Sequence, residues 1–285
     1  MSIPRLAMTF ATTLLLLTKV FAGTSPAARD CTAPQQMTRF KVKLPNTARA
    51  IRSGKPLVIV AIGSSSTEGI GASDPAHTYP AQLADELHRL WPQVTLTVFN
   101  KGVGGQIASE MLARFERDVL VYHPQLVIWQ TGSNHTLRIN SIEGYADTIR
   151  QGISRLKAAR ADVVLMDPQF APRILARPMH VMVVDSISSV GSDMKVAVFR
   201  RFAVMQHWIS SGQYKLDDII STDGLHMNDM SYSCIAHLLA DSVVTAAEPG
   251  TESLRLHQGA KKYQQMMVGR RAVQPAINPN PTKSR

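Results

Sequence analysis

Short, unbroken apolar runs that stop at glycine or at a loop constrain this chain most. Leu57-Val58-Ile59-Val60-Ala61-Ile62 ends at Gly63. A strand wet on one face would alternate apolar and polar residues; an uninterrupted run fits a strand buried on both faces. Val94–Phe99, Leu126–Trp129 and Val163–Met166 read as further strands. Between them lie segments with helical spacing. Thr78–Trp91 carries Leu83, Leu87 and Leu90 on one side and stops at Pro92, Gln106–Val121 carries Met111, Leu112, Phe115 and Val119, and Ile142–Ala159 carries Ile149, Ile153 and Leu156. Strand–helix alternation of this kind predicts an α/β fold with a parallel sheet covered on both faces. Asp167–Gly191, rich in Pro and Met, reads as irregular, with a helix near Met194–Ser210 after it and a last helix over Met227–Ala246. Neither a repeat nor a linker interrupts 51–247, which reads as one domain.

The ends differ in character. Arg5, the Thr- and Leu-rich run Phe10–Leu17 and the Val20-Phe21-Ala22 ending read as a secretory signal peptide over residues 1–22. The run is shorter than the ~20 residues a membrane helix needs, and Lys19 interrupts it. The expectation is an exported protein, periplasmic or secreted, whose mature chain has no transmembrane segment. Residues 23–50, with Pro26, Pro34 and Pro45, read as an extended lead-in. Residues 248–285 carry seven Lys or Arg against Glu248 and Glu252, half of the chain's formal charge of +10. The basicity therefore reads as belonging to a flexible tail and not to a binding face. No aromatics are interleaved with it, which argues against nucleic acid as a partner; an anionic surface or plain solvent suits such a tail. The two cysteines, Cys31 and Cys234, could staple the mature N-terminus to the last helix in an oxidising compartment. The alternative is a buried Cys234 thiol and a free Cys31. They lack the companions a metal site needs, and no cofactor is expected.

Four motifs follow the apolar runs. Gly63-Ser64-Ser65-Ser66-Thr67-Glu68-Gly69 comes after the first strand and Asn100-Lys101-Gly102-Val103-Gly104-Gly105 after the second. Gly132-Ser133-Asn134 comes after the third, and Asp223-Gly224-Leu225-His226 precedes the last helix. In open parallel sheets, ligands bind beyond the carboxyl ends of the strands, so segments far apart in sequence would meet at one edge. Ser65 at a strand-to-helix turn would present its hydroxyl as a nucleophile. Gly105 would offer an unshielded N–H, and Asn134 a side-chain amide, to a developing oxyanion. Across a turn, Asp223 can reach back to His226 and fix its tautomer, leaving the other ring nitrogen for the serine proton. Asp74-Pro75-Ala76-His77 has the same spacing, but it follows Ser65 too closely to come from a different strand end and leads into a helix start. His123 reads as a surface residue.

Taken together, the motifs resemble those of the SGNH, or GDSL-like, hydrolase superfamily, over roughly residues 57–245. The first block is similar to Gly-Asp-Ser-x-Thr/Ser-x-Gly, with Ser64 in place of the usual Asp; the second matches Asn-x-Gly-x-x-Gly, and the last Asp-x-x-His. The resemblance implies a three-layer α/β/α sandwich with a flavodoxin-like parallel sheet. It implies metal-free ester chemistry with Ser65, Asp223 and His226 as catalytic residues and Ser65, Gly105 and Asn134 as the oxyanion hole. His135 stands where Asp is more usual, a position from which it could touch substrate.

The expected function is serine esterase action on a small-molecule or carbohydrate ester. Export and the basic tail favour deacetylation of envelope or extracellular carbohydrate. Longer acyl chains are the near alternative, as for a lysophospholipase or thioesterase. A carbohydrate-binding or acyltransferase role on the same scaffold is the more distant one. The insert 168–190, with Met179 and Met182, lies where it could line an acyl pocket or simply pack over the sheet.

Overall fold

The structure, a computed structural model, describes residues 31–247. The expected signal peptide, residues 23–30 of the lead-in and the basic tail lie outside that span. Five parallel strands form one sheet: β1 (Leu57–Gly63), β2 (Leu96–Gly102), β3 (Leu126–Gln130), β4 (Asp162–Met166) and β5 (Ala197–Phe199), in the order β2-β1-β3-β4-β5. All four pairings are parallel, so every strand ends at the same edge.

Successive side chains of a strand point to opposite faces, and the core divides accordingly. Ile59, Ala61, Ile128, Val164 and Met166 face one layer, built from the helices Pro45–Arg52, Tyr79–Leu90, Arg201–Ser210 and Asp229–Ala247. Val60, Ile62, Val127, Trp129, Val163 and Leu165 face the other, built from Ala108–Ala113, Tyr145–Ala158 and Met179–Asp193. The result is the three-layer α/β/α sandwich, with a wholly buried β1 core that accounts for its unbroken apolar run. Among the described residues no helix is long and apolar enough to cross a membrane.

Several expectations are corrected. The lead-in is not extended throughout: Gln35–Thr38 and Pro45–Arg52 are helical. Phe40, Leu44, Ala48 and Ala50 are buried in the core. Thr47 donates through both its N–H (2.8 Å) and its hydroxyl (2.9 Å) to Asp162 at the start of β4. Asp167–Gly191 is mostly not irregular. It contains the helix Met179–Asp193, whose Val183, Ile187, Val190 and Gly191 are buried at helical spacing. Its β-branched and serine-rich composition lowers helix propensity, which hid it. The helix expected near Met194–Ser210 begins only at Arg201, because Ala197–Phe199 forms the short edge strand β5.

Gln106–Val121 is broken into the helices Ala108–Ala113 and Phe115–Asp118 and a final 3₁₀ turn. At the break the buried Arg114 guanidinium donates to the carbonyls of Gly63 (3.1 Å) and Lys101 (2.8 Å), clamping the ends of β1 and β2 together.

Cys31 is disulfide-bonded to Cys234 of the last helix, across 203 residues of sequence. The indole of Trp208 donates to the Thr32 carbonyl next door (2.8 Å). Closing so long a loop restricts the unfolded chain, for a gain of roughly 2–5 kcal/mol. Cys31→Ser is expected to lower the unfolding free energy from denaturant titration by that amount, with a lower midpoint, and reductant to do the same to the wild type. An unchanged midpoint would mean that the lead-in docks without the bond.

Candidate active site

Ser65 is the first residue of the short helix Ser65–Glu68, directly beyond β1. Its N–H sits in the first helical turn, where the donors have no partner within the helix and point outward. Ser65 Oγ lies 2.8 Å from His226 Nε2. His226 Nδ1 is hydrogen-bonded to Asp223 Oδ2. The other carboxylate oxygen of Asp223 accepts from the N–H groups of Leu225 and His226 and from the Ser221 hydroxyl, each at 2.9 Å. Burial works to raise the Asp223 carboxyl, but these bonds outweigh it and hold it well below the usual carboxylate range. An ionised carboxylate only accepts. Nδ1 therefore carries the proton and donates to Asp223, and Nε2 is left to accept from the serine hydroxyl.

The rival pair does something else. Asp74 accepts from the Ala76 N–H (2.7 Å), capping a 3₁₀ turn at Pro75–His77. His77 lies 2.7 Å from the Ser73 hydroxyl and 3.1 Å from Asp229, at the start of the last helix.

Gly105 has a φ of +78° and its carbonyl accepts from the Arg138 guanidinium. A Cβ at Gly105 would meet nothing within 4 Å, so backbone conformation and not crowding calls for glycine there. Asn134, in the buried first turn of Ser133–Arg138, donates one amide hydrogen to the Gln106 carbonyl at 3.0 Å. That contact holds it beside Gly105, with its second amide hydrogen still to offer.

Two buried glutamines that sequence reasoning missed hold these loops. Gln130, the last residue of β3, accepts through Oε1 from the Ser64 N–H (2.9 Å) and from the hydroxyls of Ser64 and Thr67 (both 3.1 Å). Ser64, where the superfamily carries Asp, therefore fixes the turn beneath the nucleophile. A Cβ at Gly63 would stand 2.7 Å from that amide oxygen and 2.0 Å from Thr67 Oγ1. Only glycine lets the turn close.

Gln169 joins the remaining loops. Its oxygen accepts from Ser133 Oγ (2.8 Å), the Arg201 guanidinium (3.1 Å) and Ser66 Oγ (3.4 Å), while its amide donates to the Leu225 carbonyl at 2.9 Å. One side chain thus touches the loops that carry Ser65, Asn134 and His226. Arg201 is fully buried and also donates to the Asp167 carbonyl at 3.0 Å. Burial pushes the Asp167 carboxyl up to about 7, against the opposing pull of the Phe202 N–H and of Arg201. A polar residue directly after an apolar strand run was the available signal for Gln130. Gln169, two residues into an apparent loop, gave none.

His135 is buried, with Nε2 2.8 Å from the Ser141 carbonyl and its ring 4.2 Å from that of Tyr145. Burial lowers its pKa. It faces a cleft of about 250 Å³ shared with Ile107 and Tyr145, and neither Ser65 nor His226 lines that cleft. Met179 packs against the core on the Trp129 side of the sheet, and Met182 is exposed on the same helix. Among the described residues no group of His, Cys, Asp and Glu could hold a metal.

Sheet order and motif placement define the fold of the SGNH hydrolases. The chain belongs to the Non-GDSL lipase-like family, which it matches over residues 30–249. It is similar to an acetylxylan esterase of Geobacillus stearothermophilus, 26% identical over 134 residues, covering 41% of this chain and 61% of that protein. It also superposes on a two-domain esterase active on acetylated mannans, with a TM-score of 0.62 and 19% identity over 74% of this chain and 56% of the other. A further match is Axe2, an acetylxylan esterase of Geobacillus stearothermophilus, at TM-score 0.55 and 18% identity, over 66% and 94%. The chain therefore spans about three-fifths of the first two relatives. At these identities the structural likeness establishes the fold.

Gln169→Leu removes four polar contacts in the interior. It is expected to cost about 1–3 kcal/mol of stability and to lower kcat on an activated ester by about 10²-fold through misplaced loops, with little change in KM. Gln169→Glu, which still accepts from Ser133 and Arg201, should fall between. A loss in KM alone would contradict the positioning role. For Asp167 the folded pKa lies above the unfolded one, so it favours folding most below about pH 4 and that advantage is lost as pH rises through about 7. Asp167→Asn is expected to flatten the decline in Tm between those pH values. An unchanged slope would refute the assignment.

Proposed function

We propose that this chain is an exported serine esterase that removes acetyl groups from envelope or extracellular carbohydrate. The observation that carries the reading is the unbroken contact chain from Ser65 Oγ through His226 to Asp223 at the carboxyl edge of the sheet. In the first half-reaction Ser65 attacks the ester carbonyl as His226 Nε2 takes its proton. Asp223 keeps the imidazolium oriented and stabilised without becoming protonated itself. Negative charge on the carbonyl oxygen is met by the N–H groups of Ser65 and Gly105 and by the Asn134 amide. Collapse of the tetrahedral intermediate returns the proton from His226 to the departing alcohol and leaves an acyl-Ser65. Water, deprotonated by His226, then repeats the sequence and frees the acid.

One observation supports a short acyl group. The named substrates of the similar proteins are acetylated xylan and mannan.

Hydrolysis of p-nitrophenyl esters from acetate to octanoate is expected to be fastest on acetate and to fall with chain length, and Ser65→Ala should abolish it in a folded protein. Asn134→Ala should lower kcat by about 10²–10³-fold, the usual cost of one oxyanion donor. Turnover that rises toward octanoate would point to a lipid-acyl enzyme. Wild-type activity in Ser65→Ala would refute the mechanism.

A further inference from the structure

The segment after the first helical turn reads Arg39-Phe40-Lys41-Val42-Lys43-Leu44, strictly alternating basic and apolar. Phe40 and Leu44 are buried while Arg39, Lys41 and Lys43 are exposed, so the alternation turns three cations to solvent. They meet further cations beside the edge strand β5. One groove, of about 340 Å³, has Arg39, Lys41, Lys195 and Arg200 around an apolar floor that includes Val42 and Val198. An adjoining groove, of about 230 Å³, adds Lys43 and Lys157 and shares Val42, Lys195 and Val196 with the first.

No Asp or Glu lines the first groove. The second has one carboxylate, Asp162, already engaged by Thr47 and by the Asn46 amide. Lys41, Lys43, Lys157, Lys195 and Arg200 thus border a continuous strip whose lining holds no carboxylate other than Asp162. Concave, one-signed surfaces of this kind focus the field and gather ligands of the opposite sign. The basicity is therefore not confined to the tail, as the charge count alone suggested.

We propose that this strip binds a linear anionic polysaccharide through its carboxylates. The ligand's class follows from what lines the strip. No aromatic side chain is available for base stacking, the usual means of holding single-stranded nucleic acid. Among the described residues the exposed large apolar side chains, Ile70, Val103, Val121, Val181 and Met182, all lie elsewhere, so nothing here inserts into a membrane. The strip's length, two grooves in series, suits a polymer better than a single ion, and Ser188 and Ser192 add hydroxyls for sugar contacts. Arg200 directly follows β5 at the carboxyl edge, the edge that also carries Ser65, three strand positions away. At the usual strand spacing that is roughly 14 Å, within reach of one oligosaccharide. The link to catalysis rests on the carbohydrate-ester reading; the binding does not.

Affinity electrophoresis of residues 23–285 through gels containing polygalacturonate, with neutral arabinoxylan in parallel, tests the proposal. The wild type should be retarded by polygalacturonate alone, and less so at high salt. K41E/K195E, which keeps the basic tail, should bind about tenfold more weakly while hydrolysing p-nitrophenyl acetate at the wild-type rate. Equal retardation of variant and wild type, no retardation of either, or equal binding of arabinoxylan would each overturn it. Absence of p-nitrophenyl acetate turnover in a folded wild type would instead count against the esterase reading and leave the binding result intact.

Discussion

A sheet buried on both faces leaves one place for polar chemistry, its carboxyl edge, and there the loops must be held from beneath by groups that are themselves out of water. Gln169 does most of that holding. Its one amide accepts from Ser66, Ser133 and Arg201 and donates to the Leu225 carbonyl, so loops from distant parts of the chain share a single interior partner. Buried polar groups are costly unless satisfied, which makes such a node demanding: displacing any one loop strands the partners of the others. Gln130 and Arg114 do the same locally for the nucleophile turn and for the ends of β1 and β2.

The proposed proton path runs through Ser65, His226 and Asp223, whose carboxylate takes hydrogen bonds from its own turn and keeps its charge. The proposed oxyanion donors are likewise fixed by neighbours, Asn134 by the Gln106 carbonyl and Gly105 by Arg138. On the opposite side of the chain's economy, the lead-in is stapled by Cys31–Cys234 and by Thr47–Asp162, and its outward cations border the strip beside β5.

Much of this was legible in the sequence where one physical signal dominated. Unbroken apolar runs located β1, β3 and β4 because no other element buries both faces over so few residues. The motif residues could be placed together because strand ends in a parallel sheet share an edge. The signal failed where elements are short or compositionally mixed. Ala197–Phe199 is too brief to separate from the helix after it, and Met179–Asp193 carries β-branched residues and serines that mask its spacing. The supporting residues Gln169, Arg114 and Arg201 were silent for a different reason. A buried polar side chain is recognisable only by its partners, and those lie far away in sequence. His135 directly follows Asn134 in the chain, yet its ring turns to the Ser141 carbonyl, because proximity to a motif does not fix which way a side chain turns.

The central claim is that Ser65 is the activated nucleophile. A fluorophosphonate probe, followed by peptide mass spectrometry, tests it most directly because it reads covalent chemistry at one atom without assuming a substrate. Stoichiometric labelling at Ser65, slowed strongly in His226→Ala and absent from Ser65→Ala, is the expected result. Labelling elsewhere, or equal labelling of folded wild type and Ser65→Ala, would contradict it.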